Sequence, residues 1–164
     1  MDDSSALLGR DAEIDELVAE IKKGKHVLLT GAVGIGKSAL WVAALSQLEG
    51  KLPLLIRLYD HQAKGQFVEI ARQMLALGLI TAKALDLPAK FHGQPGPDIE
   101  WSDIKAQVNR LNMRDLTQAI IPALASAETQ PVIAVDDLTS LTPTQMAFWL
   151  AIFDHAQVIG CASE

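Results

Sequence analysis

A single cysteine, Cys161, stands among 164 residues, which excludes an internal disulfide and fits a reducing compartment. Basic residues are outnumbered, 14 Lys and Arg against 20 Asp and Glu, for a net charge of −6. Such a balance offers no general attraction to nucleic acid or to an anionic membrane surface. No apolar run approaches the roughly 18 residues needed to cross a bilayer. The N-terminus, Met1-Asp2-Asp3-Ser4-Ser5, is acidic where an export signal would be basic. No membrane partner is expected, and the expected location is cytoplasmic. His26, His61, His92 and His155 each lack a partner at metal-ligand spacing. What remains, 49% hydrophobic and 21% charged residues, describes one compact domain long enough to bury a core.

Glycine is concentrated where it matters most. Residues 31 to 38, Gly31-Ala32-Val33-Gly34-Ile35-Gly36-Lys37-Ser38, satisfy G-x-x-x-x-G-K-S/T, the phosphate-binding P-loop. Glycine at 31, 34 and 36 permits torsions and close approaches that a Cβ would block, so that successive N–H groups turn towards a phosphate. Lys37 supplies a mobile ammonium for the β- and γ-oxygens, and Ser38 a hydroxyl for Mg²⁺. The apolar Val27-Leu28-Leu29 leads in as a strand. The segment Ser38-Ala39-Leu40-Trp41-Val42-Ala43-Ala44-Leu45 leads out as a helix, apolar nearly all round and therefore expected to be buried. Its positive end points at the same anion.

The rest of the chain alternates strands and helices. Ile14, Leu17, Val18 and Ile21 predict an amphipathic helix over 11–23, with acids early, Lys22 and Lys23 late and Gly24 as its cap. A strand over 54–59 and a helix over 64–77 fit a parallel sheet covered on both faces. Pro88, Gly93, Pro95, Gly96 and Pro97 mark residues 79–100 as an exposed irregular insertion, with Trp101 expected to anchor it. Two helices follow, the second kinked or ended near Pro122. Thr142-Pro143-Thr144-Gln145 forms a capping box ahead of a helix whose Met146, Trp149, Leu150 and Phe153 are expected to face the sheet. Trp41 and Trp149 are expected in the core, and Cys161 as a buried thiol.

Residues 132–138, Val-Ile-Ala-Val-Asp-Asp-Leu, are an apolar strand ending in two carboxylates. Charge is costly there unless it has a use, and in a parallel sheet the carboxyl ends of the strands open into the ligand crevice. Asp136 is placed to hold Mg²⁺, with Ser38 or through water, and Asp137 to orient or deprotonate an attacking water. The plainer alternative is a solvated strand end or an Asx turn.

Taken together, Gly9-Arg10-Asp11 ahead of a helix, the P-loop, and four apolar residues before an acidic pair resemble the AAA+ class of ATPases and the related STAND signalling ATPases. The resemblance covers nearly the whole chain, and its most specific part is the P-loop. It implies a three-layer α/β P-loop NTPase fold with strand order 1-4-3-2, and ATP or ADP with Mg²⁺ as cofactors. It puts Leu8, Gly9 and Arg10 near the adenine, residues 31–39 (Gly31, Ala32, Val33, Gly34, Ile35, Gly36, Lys37, Ser38 and Ala39) around the phosphates, and Ser163 at the polar position ending the next strand. Lys37, Asp137 and Ser163 would then carry catalysis, and Ser38 and Asp136 the metal. The second acid of these families is usually Glu; Asp137 is one methylene shorter. The families continue with a fifth strand, a helical lid and an arginine lent to a neighbour, none of which this sequence contains, so a chain truncated before them is expected. Without that strand, residues 26–30 form an open sheet edge, and self-association or a protein partner is expected there. The implied function is Mg-dependent ATP binding with slow hydrolysis. A non-hydrolysing nucleotide-gated switch is the alternative, and a small-molecule kinase a weaker third.

Overall fold

The computed structural model describes residues 9–60, 62–93, 100–138 and 141–163; Leu8 and His61 lie outside them. In chain order the elements are α1 (Asp11–Lys22), β1 (Val27–Gly31), α2 (Lys37–Gln47), β2 (Leu55–Leu58), α3 (Ala63–Ala76), α4 (Trp101–Asn109), α5 (Met113–Ser126), β3 (Val132–Val135), α6 (Pro143–Phe153) and β4 (Gln157–Ser163). The four strands form one parallel sheet in the order β1-β4-β3-β2, as the resemblance implied.

Alternation along β3 shows why the sheet needs helices on both sides. Val132 and Ala134 join one core with Ile159 and Cys161, where Ile14, Leu17, Val18 and Ile21 of α1 meet Leu40, Trp41, Ala44 and Leu45 of α2. Ile133 and Val135 point the other way, into a larger core built by α3 to α6. Period-two alternation on a strand buried on both faces produces three layers. Gly24, with φ of +74°, follows α1 as expected. The capping box of α6 is complete, with Thr142 accepting from the Gln145 N–H and the Gln145 side chain accepting from the Thr142 N–H.

Several expectations about packing need correction. The face of α6 that reaches the core is Phe148, Trp149 and Ile152, while Met146 and Leu150 are 44% and 56% exposed; the helix is apolar all round, so its periodicity selects no face. In α2, Val42 is exposed, because only one side of that helix meets α1 and the sheet. Residues 79–93 are irregular but only partly exposed: Ile80, Ala82, Leu85, Leu87 and Phe91 are buried in the larger core, with exposed residues such as Lys83, Asp86 and Lys90 between them. Phe91, on a 3-10 turn at Ala89–Phe91, anchors this segment, whereas Trp101 is 42% exposed. Finally, α5 does not end near Pro122 but runs through it to Ser126. Proline removes one N–H, and both Pro122 and Gln118, four residues earlier, are exposed, so the carbonyl left without its helical partner is open to water.

The two edges of the sheet differ. On β2, the Gln73 amide both donates to the Arg57 carbonyl (2.6 Å) and accepts from the Arg57 N–H (3.0 Å), as a neighbouring strand would. Glu69 accepts from the Tyr59 N–H just beyond it (3.0 Å). Side chains of α3 thereby close that edge. On β1, the described residues place β4 on one side and no strand on the other, and Leu28 is 55% exposed.

Candidate functional site

The sheet order decides what meets at its carboxyl end. β4 separates β1 from β3, and Gly31 at the end of β1 is in register with Ser163 at the end of β4. The loop leaving β1, the end of β4 and the acids following β3 therefore share one crevice. It is a cavity of about 420 Å³ lined by Val33, Gly34, Gly36, Lys37, Ser38 and Ala39, by Asp136 and Asp137, and by Cys161 and Ser163.

The loop has the shape its glycines allow. Gly31 has φ of +148°, and a Cβ there would lie 2.4 Å from Cδ1 of Ile35. Gly36, the N-cap of α2, has φ of +86°, and a Cβ would lie 2.9 Å from Nη1 of Arg10. Lys37 folds back over the loop, its Nζ donating to the carbonyls of Gly31 (2.7 Å) and Ala32 (2.8 Å). The eleven-residue α2 aims its N-terminal dipole into the cavity.

Arg10 reaches the same loop from outside. Its Nη1 donates to the Ile35 carbonyl (2.7 Å), while Nε and Nη2 donate to the two carboxylate oxygens of Glu13 (3.0 and 2.6 Å). That bidentate pair holds the Glu13 carboxyl below and the Arg10 guanidinium above their ordinary pKa values. Arg10 thus links the start of α1 to the backbone of the phosphate loop. Gly9, with φ of +82°, turns the chain into this contact.

On the opposite wall, Asp136 and Asp137 are half-buried. Oδ1 of Asp136 is buried and makes no hydrogen bond among the described residues. An acceptor left so is expensive unless something else satisfies it. With the Ser38 hydroxyl on the same cavity, hard oxygen donors of this kind suit Mg²⁺. The residues present fit a Mg–phosphate group.

Two neighbours of the site carried no sequence signal that marked them. Cys161 forms part of the cavity wall, and burial, reinforced by Asp136, pushes its thiol up to about 12. It stays protonated near neutrality and is no nucleophile. Gln66, 2% exposed, donates from Nε2 to the carbonyls of Asp60 and Asp137. A glutamine in line with Ile70 and Met74 on a buried face was the available hint.

A family model described as AAA ATPase domain matches residues 6–159. The chain belongs to that family. The membership agrees with the P-loop, the sheet order and the crevice between them, and it makes this AAA ATPase domain a nucleotide-binding one. No curated protein matches the chain. Among the described residues, no helix is long and apolar enough to cross a membrane.

Proposed function

We propose that this domain binds Mg·ATP in the crevice between the P-loop and the acidic pair and hydrolyses it slowly, as an AAA+/STAND-type core. The observation carrying this reading is the buried, unpartnered Oδ1 of Asp136 on the same cavity as Ser38 and the loop. The loop N–H groups and the α2 N-terminus bind the β- and γ-phosphates. Lys37 exchanges its two loop carbonyls for phosphate oxygens, which is a gain because charge-assisted bonds are the stronger ones. Ser38 and Asp136 would hold Mg²⁺, which neutralises charge on the phosphates. Asp137 orients a water molecule and takes its proton as the water oxygen bonds the γ-phosphorus. The bond from that phosphorus to the β–γ bridging oxygen breaks, and ADP leaves with the electron pair. Ser163, between the two walls, is placed to donate to the γ-phosphate. Gly9 and Arg10 border the base, with Arg10 also setting the shape of the loop. The test is steady-state phosphate release by the full chain. Slow turnover that disappears in EDTA is expected; no turnover with intact ATP binding identifies the non-hydrolysing switch instead.

The uncovered side of β1 supports a second part of the proposal, that this edge takes up an added strand from another copy or a different polypeptide. One edge is closed by Gln73 and Glu69 while the other exposes Leu28, and open apolar edges pair. The outward-facing amides of residues 27–29 are expected to exchange quickly in monomer and slowly in any associated form. Full protection of those amides in a protein shown to be monomeric by light scattering contradicts it.

A further inference from the structure

The Asp136 N–H makes the last rung of the β2–β3 ladder, and beyond it the backbone bearing the acidic pair takes other partners. Among the described residues, hydrogen bonds to three different elements hold this backbone. The Asp136 N–H donates to the Leu58 carbonyl on β2 (3.1 Å), and the Leu138 N–H to the Cys161 carbonyl on β4 (2.9 Å). The third is made by a side chain: Nε2 of Gln66, in the first turns of α3, donates to the Asp137 carbonyl (2.8 Å).

The same nitrogen donates to the carbonyl of Asp60, just after β2 (2.9 Å). Both of its hydrogens are therefore engaged, and Oε1 is buried without a partner among the described residues. A buried amide that leaves its own acceptor unsatisfied in order to serve two carbonyls is held in one orientation. Swinging it away would break both bonds as well.

We propose that Gln66 is a positioning residue for the acidic pair, fixing the peptide that follows Asp137 so that Asp136 and Asp137 present their carboxylates to Mg²⁺ and water. The inference rests on the roles given to Asp136 and Asp137 above. Gln66 acts through the backbone of Asp137 and is absent from the cavity lining, so phosphate binding by the loop does not depend on it. Outer-shell partners of this kind tune metal affinity without touching the metal.

The test is titration of ATP into the full-length parent and into Gln66→Met, a variant of similar shape without donors, in excess Mg²⁺ and in EDTA. The affinity in EDTA is expected to be the same for both proteins. The gain conferred by Mg²⁺ is expected to fall about 10-fold in the variant. An unchanged gain, or equal weakening with and without Mg²⁺, overturns the proposal and leaves Gln66 a structural residue. A parent with no gain from Mg²⁺ instead removes the metal assignment of Ser38 and Asp136, and the inference falls with it. Should Gln66→Met not fold, the unmutated protein serves. The ¹⁵N side-chain amide resonance of Gln66 is expected to shift when Mg²⁺ is added to the ADP complex, and an unmoved resonance overturns the proposal.

Discussion

Lys37→Ala is expected to weaken ATP binding by at least about 100-fold, the loss of two charge-assisted bonds to phosphate oxygens at roughly 1.5 kcal/mol each. The fold should survive. Lys37 is half-buried, and among the described residues its ammonium donates to the Gly31 and Ala32 carbonyls of the loop. Losing two such surface bonds lowers Tm by a few degrees, about 2 to 6 °C for a chain of this size. Calorimetric titration beside a melting curve separates the two effects. Equal ATP affinity in variant and parent contradicts the placement of phosphate at the loop. Because the lysine also braces the loop from within, Lys37→Arg is a useful companion. It keeps the charge but its planar fork does not fit the same two carbonyls.

The acidic pair is expected to divide its work. Asp136→Asn should leave ATP binding in EDTA unchanged and abolish the strengthening by Mg²⁺, since the buried oxygen without a partner among the described residues is the proposed metal ligand. Asp137→Asn should keep both the ATP affinity and its Mg²⁺ dependence. Its hydrolysis should fall about 100-fold or more, the usual contribution of a positioned general base. Single-turnover measurements on both variants give the comparison. Parental turnover by Asp137→Asn would reduce that residue to a strand-end carboxylate.

Much of this architecture is legible in the sequence where a local rule and a tertiary demand coincide. The glycines at 31 and 36 occupy positions where a Cβ would strike Ile35 or Arg10, and the spacing of the P-loop records that necessity directly. The α1 stripe and the Thr142–Gln145 box read correctly for the same reason: each is a short-range pattern with one physical solution. The sheet order came from resemblance, because strand adjacency is not written in periodicity. Illegible features are those that depend on distant neighbours. Nothing around Met146 or Leu150 distinguishes them from Phe148, because every face of α6 is apolar and the layer beneath decides. Proline and glycine punctuation made residues 79–93 resemble a surface loop. Their scattered apolar side chains reach a core formed by α3 to α6 that no short window reveals. The contact of Arg10 with Ile35 spans 25 residues, and that of Gln66 with Asp137 spans 71. Such pairs are products of the fold and become visible only with it.

The central claim is that one crevice, walled by the P-loop and the acidic pair, takes ATP together with Mg²⁺. Titration of ATP into the full chain, once in Mg²⁺ and once in EDTA, tests it most directly. Binding in both conditions, tighter with Mg²⁺, with one site per chain, is the predicted result. Absence of binding, or an affinity indifferent to Mg²⁺, would contradict it.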